Sequence, residues 1–146
     1  MDIKTAKEKV ARKLAIKDRA ISEVEHCLKG APLHVIDEVV QFFKKMGALD
    51  DRRWALRFVE KSLSRGWGPS VIAYRLREKK IDQDIIDDVI QSIDVKSVLC
   101  QILERESAFD RKLIAKLCRK GFPVSCVISC VEEKAKICYD SRCEEE

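Results

Sequence analysis

The chain has 146 residues, enough for one domain or an array of small repeats, and it is 46% hydrophobic and 37% charged, so a core can form beneath a densely charged surface. A single threonine (Thr5), five glycines and three prolines leave a β-sheet short of strand and turn residues and favour helices. A net charge of +4 permits an acidic or nucleic-acid partner without demanding one, no apolar run approaches the roughly 18 residues of a membrane span, and the opening MDIKTAKEKVARKL lacks an apolar signal core; a cytoplasmic monomer is expected.

Along the chain the apolar positions repeat. In residues 1–49, Ala11, Leu14 and Ala15 give a weak apolar face to a first helix, and Ser22-x-x-Glu25 is a capping-box pattern opening a second. Gly30-Ala31-Pro32 then interrupts, with proline suited to the start of a third helix. In that helix Val35, Ile36, Val39, Val40 and Phe43 share one face, and Gly47 suits the left-handed position just past its end.

Residues 50–94 repeat this plan. Asp50 and Asp51 lead into a helix with Trp54, Ala55, Phe58 and Val59 on one stripe and Arg53, Arg57 and Lys61 on another. Gly68-Pro69 opens the next helix, which carries Ile72 and Leu76, and Asp82 stands before the third. There Ile85, Ile86, Val89, Ile90 and Ile93 reproduce the spacing of the Val35 helix 50 residues on.

The third copy occupies residues 95–138. Val98, Leu99, Ile102 and Leu103 form its first face, Asp110 caps its second helix, and Leu113 and Leu117 follow Ile72 and Leu76 by 41 residues. Gly121-Phe122-Pro123 precedes Cys126, Val127, Cys130 and Val131, again the same spacing. Residues 139–146 read as a polar tail that frays. The whole predicts an all-α protein of three tandem three-helix repeats.

Two features raise the question of chemistry. Asp50 and Asp51 are adjacent carboxylates, but acid/base work needs partners, and the only histidines, His26 and His34, lie in the first unit away from any nucleophile pattern. They are expected to start a helix, by accepting backbone N–H groups, and the protein is not expected to be an enzyme. Six of the seven cysteines fall after residue 99, and no C-x-x-C pair occurs. Cys126 and Cys130 align with the core slots of Val35 and Val39 and of Ile85 and Val89, so packing explains them and neither metal nor other cofactor is expected.

The run Gly47-Ala-Leu-Asp-Asp-Arg-Arg-Trp-Ala-Leu-Arg-Phe-Val59 resembles the signature segment of the RecX family, regulators of the RecA recombinase. Arg65-Gly-Trp-Gly-Pro69 with Ile72, Leu76 and Ile81, Arg119-Lys-Gly-Phe122, and the early Arg19, Ser22 and Glu25 resemble further family segments in the right order. The chain departs from the family at Lys80, where glycine is usual, and at His26, where leucine is usual. The resemblance implies an elongated, curved array of the three units, with Gly47, Asp50, Asp51, Trp54, Ala55, Phe58, Gly68, Gly121 and Phe122 as structural motif residues. It also implies binding to the RecA–DNA filament, with DNA a further contact beside it, to modulate and chiefly restrain filament growth, and no catalytic residue.

Basic side chains are the candidate contacts: Arg53, Arg57, Lys61 and Arg65 in one helix, Arg75 and Lys79 in the next, and Lys112, Lys116, Arg119 and Lys120 in the third unit. Trp67 is expected to close an inter-helix corner rather than stand as an exposed anchor. The alternative reading is a helix-turn-helix-like DNA-binding protein. Against it, Asp37, Glu38, Asp87, Asp88, Glu132 and Glu133 on the third helices would repel phosphate.

Overall fold

The computed structural model describes residues 1–145, with side chains described through Tyr139. Among the described residues the chain forms α-helices and no strand: α1 (Ile3–Ile16), α2 (Ile21–Cys27), α3 (Leu33–Lys45), α4 (Asp51–Ser64), α5 (Pro69–Glu78), α6 (Gln83–Gln91), α7 (Val95–Leu103), α8 (Arg111–Arg119) and α9 (Val124–Glu145).

Short polar residues set several of the starts. The carboxylates of Asp2, Asp94 and Asp110 accept the backbone N–H of Thr5 (2.8 Å), Ser97 (3.1 Å) and Leu113 (3.1 Å), each satisfying a donor that the first helical turn leaves open. The bond from Thr5 holds the Asp2 carboxyl below its ordinary range. Asp82 accepts the Asp84 N–H at 3.3 Å, and Pro69 is the first residue of α5, as expected. At the end of α5 stands an unexpected residue: Lys80 takes the left-handed backbone conformation at φ +56°. There the Ile81 N–H reaches back to the Leu76 carbonyl, a closure that glycine makes without steric cost.

The chain divides into two compact units, one of Met1–Phe58 with Leu76–Val89, the other of Val59–Arg75 with residues from Ile90 onward. In the first, α3 packs on both α1 and α2. Its core is Ala6, Val10, Val24, Leu28, Val35, Val39, Val40, Phe43 and Leu49. The inward stripe of α1 therefore runs Ile3, Ala6, Val10, Leu14, while Ala11 and Ala15 are exposed. Sequence reading shared only Leu14 with that stripe, because alanine is apolar enough to suit either face. The capping box also shifts. Ala20, not Ser22, precedes α2, its N–H donating to the Glu23 carboxylate at 3.3 Å. Ser22 lies within the helix and donates to the Lys79 carbonyl at 2.6 Å.

In the second unit α9 packs on α7 and α8 around Leu99, Leu103, Leu113, Leu117, Phe122, Val127, Cys130 and Val131. Cys130 is buried among these side chains, and that burial pushes its thiol pKa up. Helix α9 continues to Glu145 where a fraying tail was expected after Cys138; the side chains of 140–145, and Glu146, lie outside the described residues.

Candidate functional site

The carboxylate pair that opens α4 separates into two jobs within the first unit. Asp50 Oδ1 accepts the N–H groups of Arg52 (3.0 Å) and Arg53 (3.2 Å), so Asp50 caps α4. Asp51, one residue further, turns instead to α2 and accepts the Ile21 N–H at 2.9 Å. It thus supplies from 30 residues away the acceptor that Ala20, with no polar side chain, cannot. Burial raises the Asp51 carboxyl pKa, and this N–H bond opposes the rise only in part.

The arginines that follow are largely spent inside the same unit. Arg53 donates Nε and Nη2 to Asp18 at 3.3 and 3.1 Å, Nη1 to the Gly47 carbonyl at 2.8 Å and Nη2 to the Ala48 carbonyl at 3.2 Å. It thus ties Asp18 to the turn that follows α3, and the bond to Asp18 pushes its guanidinium pKa higher still. Arg57 reaches Asp18 as well, at 3.4 Å, and Arg52 pairs with Asp88 at 2.9 Å. Between these charges Trp54 and Phe58 stack with ring centroids 5.2 Å apart, and Ala55 is fully buried. Lys79 keeps an exposed side chain while its carbonyl receives Ser22. Sequence reading singled out Arg53 and missed Asp18, for nothing local links positions 35 residues apart.

The second unit is arranged differently. The Gly68 N–H donates to the Lys120 carbonyl at 2.6 Å, and the Ser70 N–H and hydroxyl both donate to the Gly121 carbonyl, at 3.1 and 2.9 Å. The two glycine corners are in backbone contact. A Cβ on Gly68 would collide with the Gly121 and Phe122 backbone, and one on Gly121, whose φ is +102°, would lie 2.8 Å from both N and Cγ2 of Val71. Trp67 beside this joint is half-buried, with the Arg75 guanidinium 4.5 Å and the Lys120 ammonium 4.2 Å from its ring centre. The expectation of a corner-closing tryptophan matches this position, and Arg75 and Lys120 are engaged with it.

Helix α8 carries four basic residues and no acidic one, in Arg111-Lys-Leu-Ile-Ala-Lys-Leu-Cys-Arg119. Leu113 and Leu117 are buried, whereas Arg111, Lys112, Lys116 and Arg119 are exposed, with Lys116 approaching Glu106 at 4.0 Å. Arg111 belongs with this face though the i, i+4 series had begun at Lys112; its place beside the Asp110 cap is the signal that could have found it. Lys61 and Arg65, also in this unit, are exposed. By contrast, the carboxylates of Asp37, Glu38, Asp87, Asp88, Glu132 and Glu133 on α3, α6 and α9 are all exposed, a poor face for a duplex groove.

Comparison with known proteins agrees with this architecture. The family model of the RecX second three-helix domain matches residues 50–90. Regulatory protein RecX of Vibrio cholerae serotype O1 is 31% identical over 81 residues, 54% of this chain and 53% of that protein. Its counterpart in Lactobacillus delbrueckii subsp. bulgaricus is 31% identical over 138 residues, 80% of this chain and 49% of the relative. The chain spans about half the length of these curated relatives. A crystal structure of regulatory protein RecX has the same fold, with a TM-score of 0.74 at 19% identity over 90% of this chain and 73% of that one. Among the described residues no helix is long and apolar enough to cross a membrane. The matched central domain and the named relatives make this chain similar to RecX regulatory proteins, and the solved RecX structure shares its fold.

Proposed function

We propose that this chain binds the RecA–DNA filament in the cytoplasm and restrains growth and activity of the recombinase filament, acting by binding and without a catalytic centre. The observation that carries the reading is α8, an exposed helix face with four basic residues and no acid, where α1, α3, α4, α5 and α9 mix the two signs and α6 carries acids alone. A RecA-coated DNA strand is an anionic polymer, and a basic face facing it raises both encounter rate and affinity. Lys61, Arg65 and Lys79 are exposed and extend the set of candidate contacts. Arg53, Arg75 and Lys120 are given a structural part by their partners in the fold, and Arg57 is shared between Asp18 and solvent.

Co-sedimentation tests this. The chain should pellet with RecA filaments assembled on single-stranded DNA, should pellet much less with duplex DNA alone, and should leave the filament as salt rises and the screening length shortens. Equal retention on bare duplex would favour the DNA-binding reading and overturn this one.

A further inference from the structure

The first unit holds a groove of about 720 Å³ beside α2, with Arg19, His26, Leu33, Ile36, Lys79 and Lys80 among its lining residues. That volume lies within the ordinary range of ligand clefts, enough for a short peptide segment's side chains. Its charge is unbalanced: Lys13, Arg19, Lys29, Lys79 and Lys80 face Glu23, Glu25 and Glu78. Its floor is apolar, with Val10 and Val24 buried beneath it and Leu33 left 79% exposed.

Two further observations point to a ligand. Arg19 Nε is shielded from solvent and has no hydrogen-bond partner, although buried donors are nearly always paired. The nearest carboxylate, Glu23, lies 3.7 Å from Arg19 Nη1, beyond hydrogen-bond reach. Lys80, at the rim, is held at φ +56°, a conformation that costs a side-chain-bearing residue free energy and that tends to persist where it serves binding.

We infer that this groove is a docking site for an acidic peptide segment of a partner protein, one carboxylate meeting Arg19 and the lysine rim while a neighbouring apolar side chain lies against Leu33 and Ile36. A carboxylate completes the guanidinium fork. The apolar floor selects a peptide over a polynucleotide, whose phosphates would leave Leu33 and Ile36 uncovered. The site belongs to the first unit and α8 to the second; Lys79 alone is shared with the candidate filament contacts, so peptide binding by a chain altered only on α8 separates this inference from the filament reading.

Selection from a random dodecapeptide display library on the full chain tests it. The recovered peptides should carry Asp or Glu next to Leu, Ile or Phe. Their synthetic forms should bind in the micromolar range by calorimetry, with amide shifts at Arg19, Leu33 and Lys80. Changing the peptide carboxylates to amides should weaken binding about tenfold, as should the Lys29→Glu/Lys79→Glu variant; both lysines are exposed, so circular dichroism should show an unchanged fold. Absence of an acidic consensus, binding indifferent to either change, or shifts lying elsewhere would overturn the assignment. So would displacement of the peptide from these residues by a twelve-nucleotide oligothymidylate at equal concentration, which would give the groove to nucleic acid.

Discussion

Arg53 at the start of α4 and Lys116 in the middle of α8 look alike in the sequence: each is a cation at i, i+4 spacing from another, opposite an apolar stripe. The structure separates them. Around α4 of the first unit, cations are answered by Asp18, Asp88 and two carbonyls of the turn that follows α3. On α8 of the second unit the closest ion pair is a loose one, Lys116 to Glu106 at 4.0 Å, among the described residues. A basic row is therefore internal glue when acids and helix ends converge on it. It is a candidate for binding when they do not, and only tertiary placement tells the two apart.

The largest effect should come from the backbone joint of the second unit. Gly121→Ala has neither space nor a permitted φ, and should cost about 3–5 kcal/mol by urea unfolding. Gly30→Ala shares the positive φ but meets open space, and should cost about 1–2 kcal/mol. Equal losses would mean that the glycine-to-glycine contact adds nothing beyond conformation.

Next comes the contrast between the two basic helices. Arg53→Leu leaves Asp18, whose side chain is only 14% exposed, with Arg57 as its remaining ion-pair partner and takes the donor from two carbonyls. It should cost about 2 kcal/mol, less than a fully buried pair because Arg53 itself is partly solvated. Lys112→Leu should change stability by less than about 0.5 kcal/mol. Similar values for both would erase the distinction between glue and surface.

A smaller and more specific effect belongs to Asp51. Asp51→Ala leaves the Ile21 N–H without its acceptor and should cost about 1–2 kcal/mol, while Asp51→Asn keeps an acceptor oxygen and should cost little near neutrality. The pH dependence has a definite sign. The folded chain binds the Asp51 proton more tightly than the unfolded chain. The resulting stabilisation is complete below the unfolded pKa and is lost as pH rises through the folded one. Wild type should therefore gain on Asp51→Asn as pH falls from neutrality toward the ordinary carboxyl value of 3.8, measured by parallel melts. The smallest change is favourable: Lys80→Gly relieves the left-handed backbone and should raise stability by about 1 kcal/mol.

Much of the architecture was legible because it rests on local rules. The apolar spacing of Val35 to Phe43 recurs in α6 and α9, and caps at Asp82 and Asp110 and the proline at the start of α5 follow from neighbours in the chain. The stripe of α1 was misread where alanines fit both faces, and the Ser22 cap was misread because two better acceptors lay elsewhere, at Glu23 and Asp51. The candidate site was legible only as a list of cations. Asp18, Arg111, the contact of Gly68 with Gly121 and the groove around Arg19 arise from juxtapositions distant in sequence, for which single-chain periodicity carries no signal.

The most direct test replaces Arg111, Lys112, Lys116 and Arg119 together by glutamate and measures binding to fluorescent RecA–DNA filaments by anisotropy, beside Arg57→Glu, with both variants first shown to be helical and cooperatively folded. The account predicts that the α8 variant loses about tenfold or more in affinity and that the wild-type salt dependence flattens, while Arg57→Glu changes affinity much less. Undiminished filament binding by the folded α8 variant would contradict it.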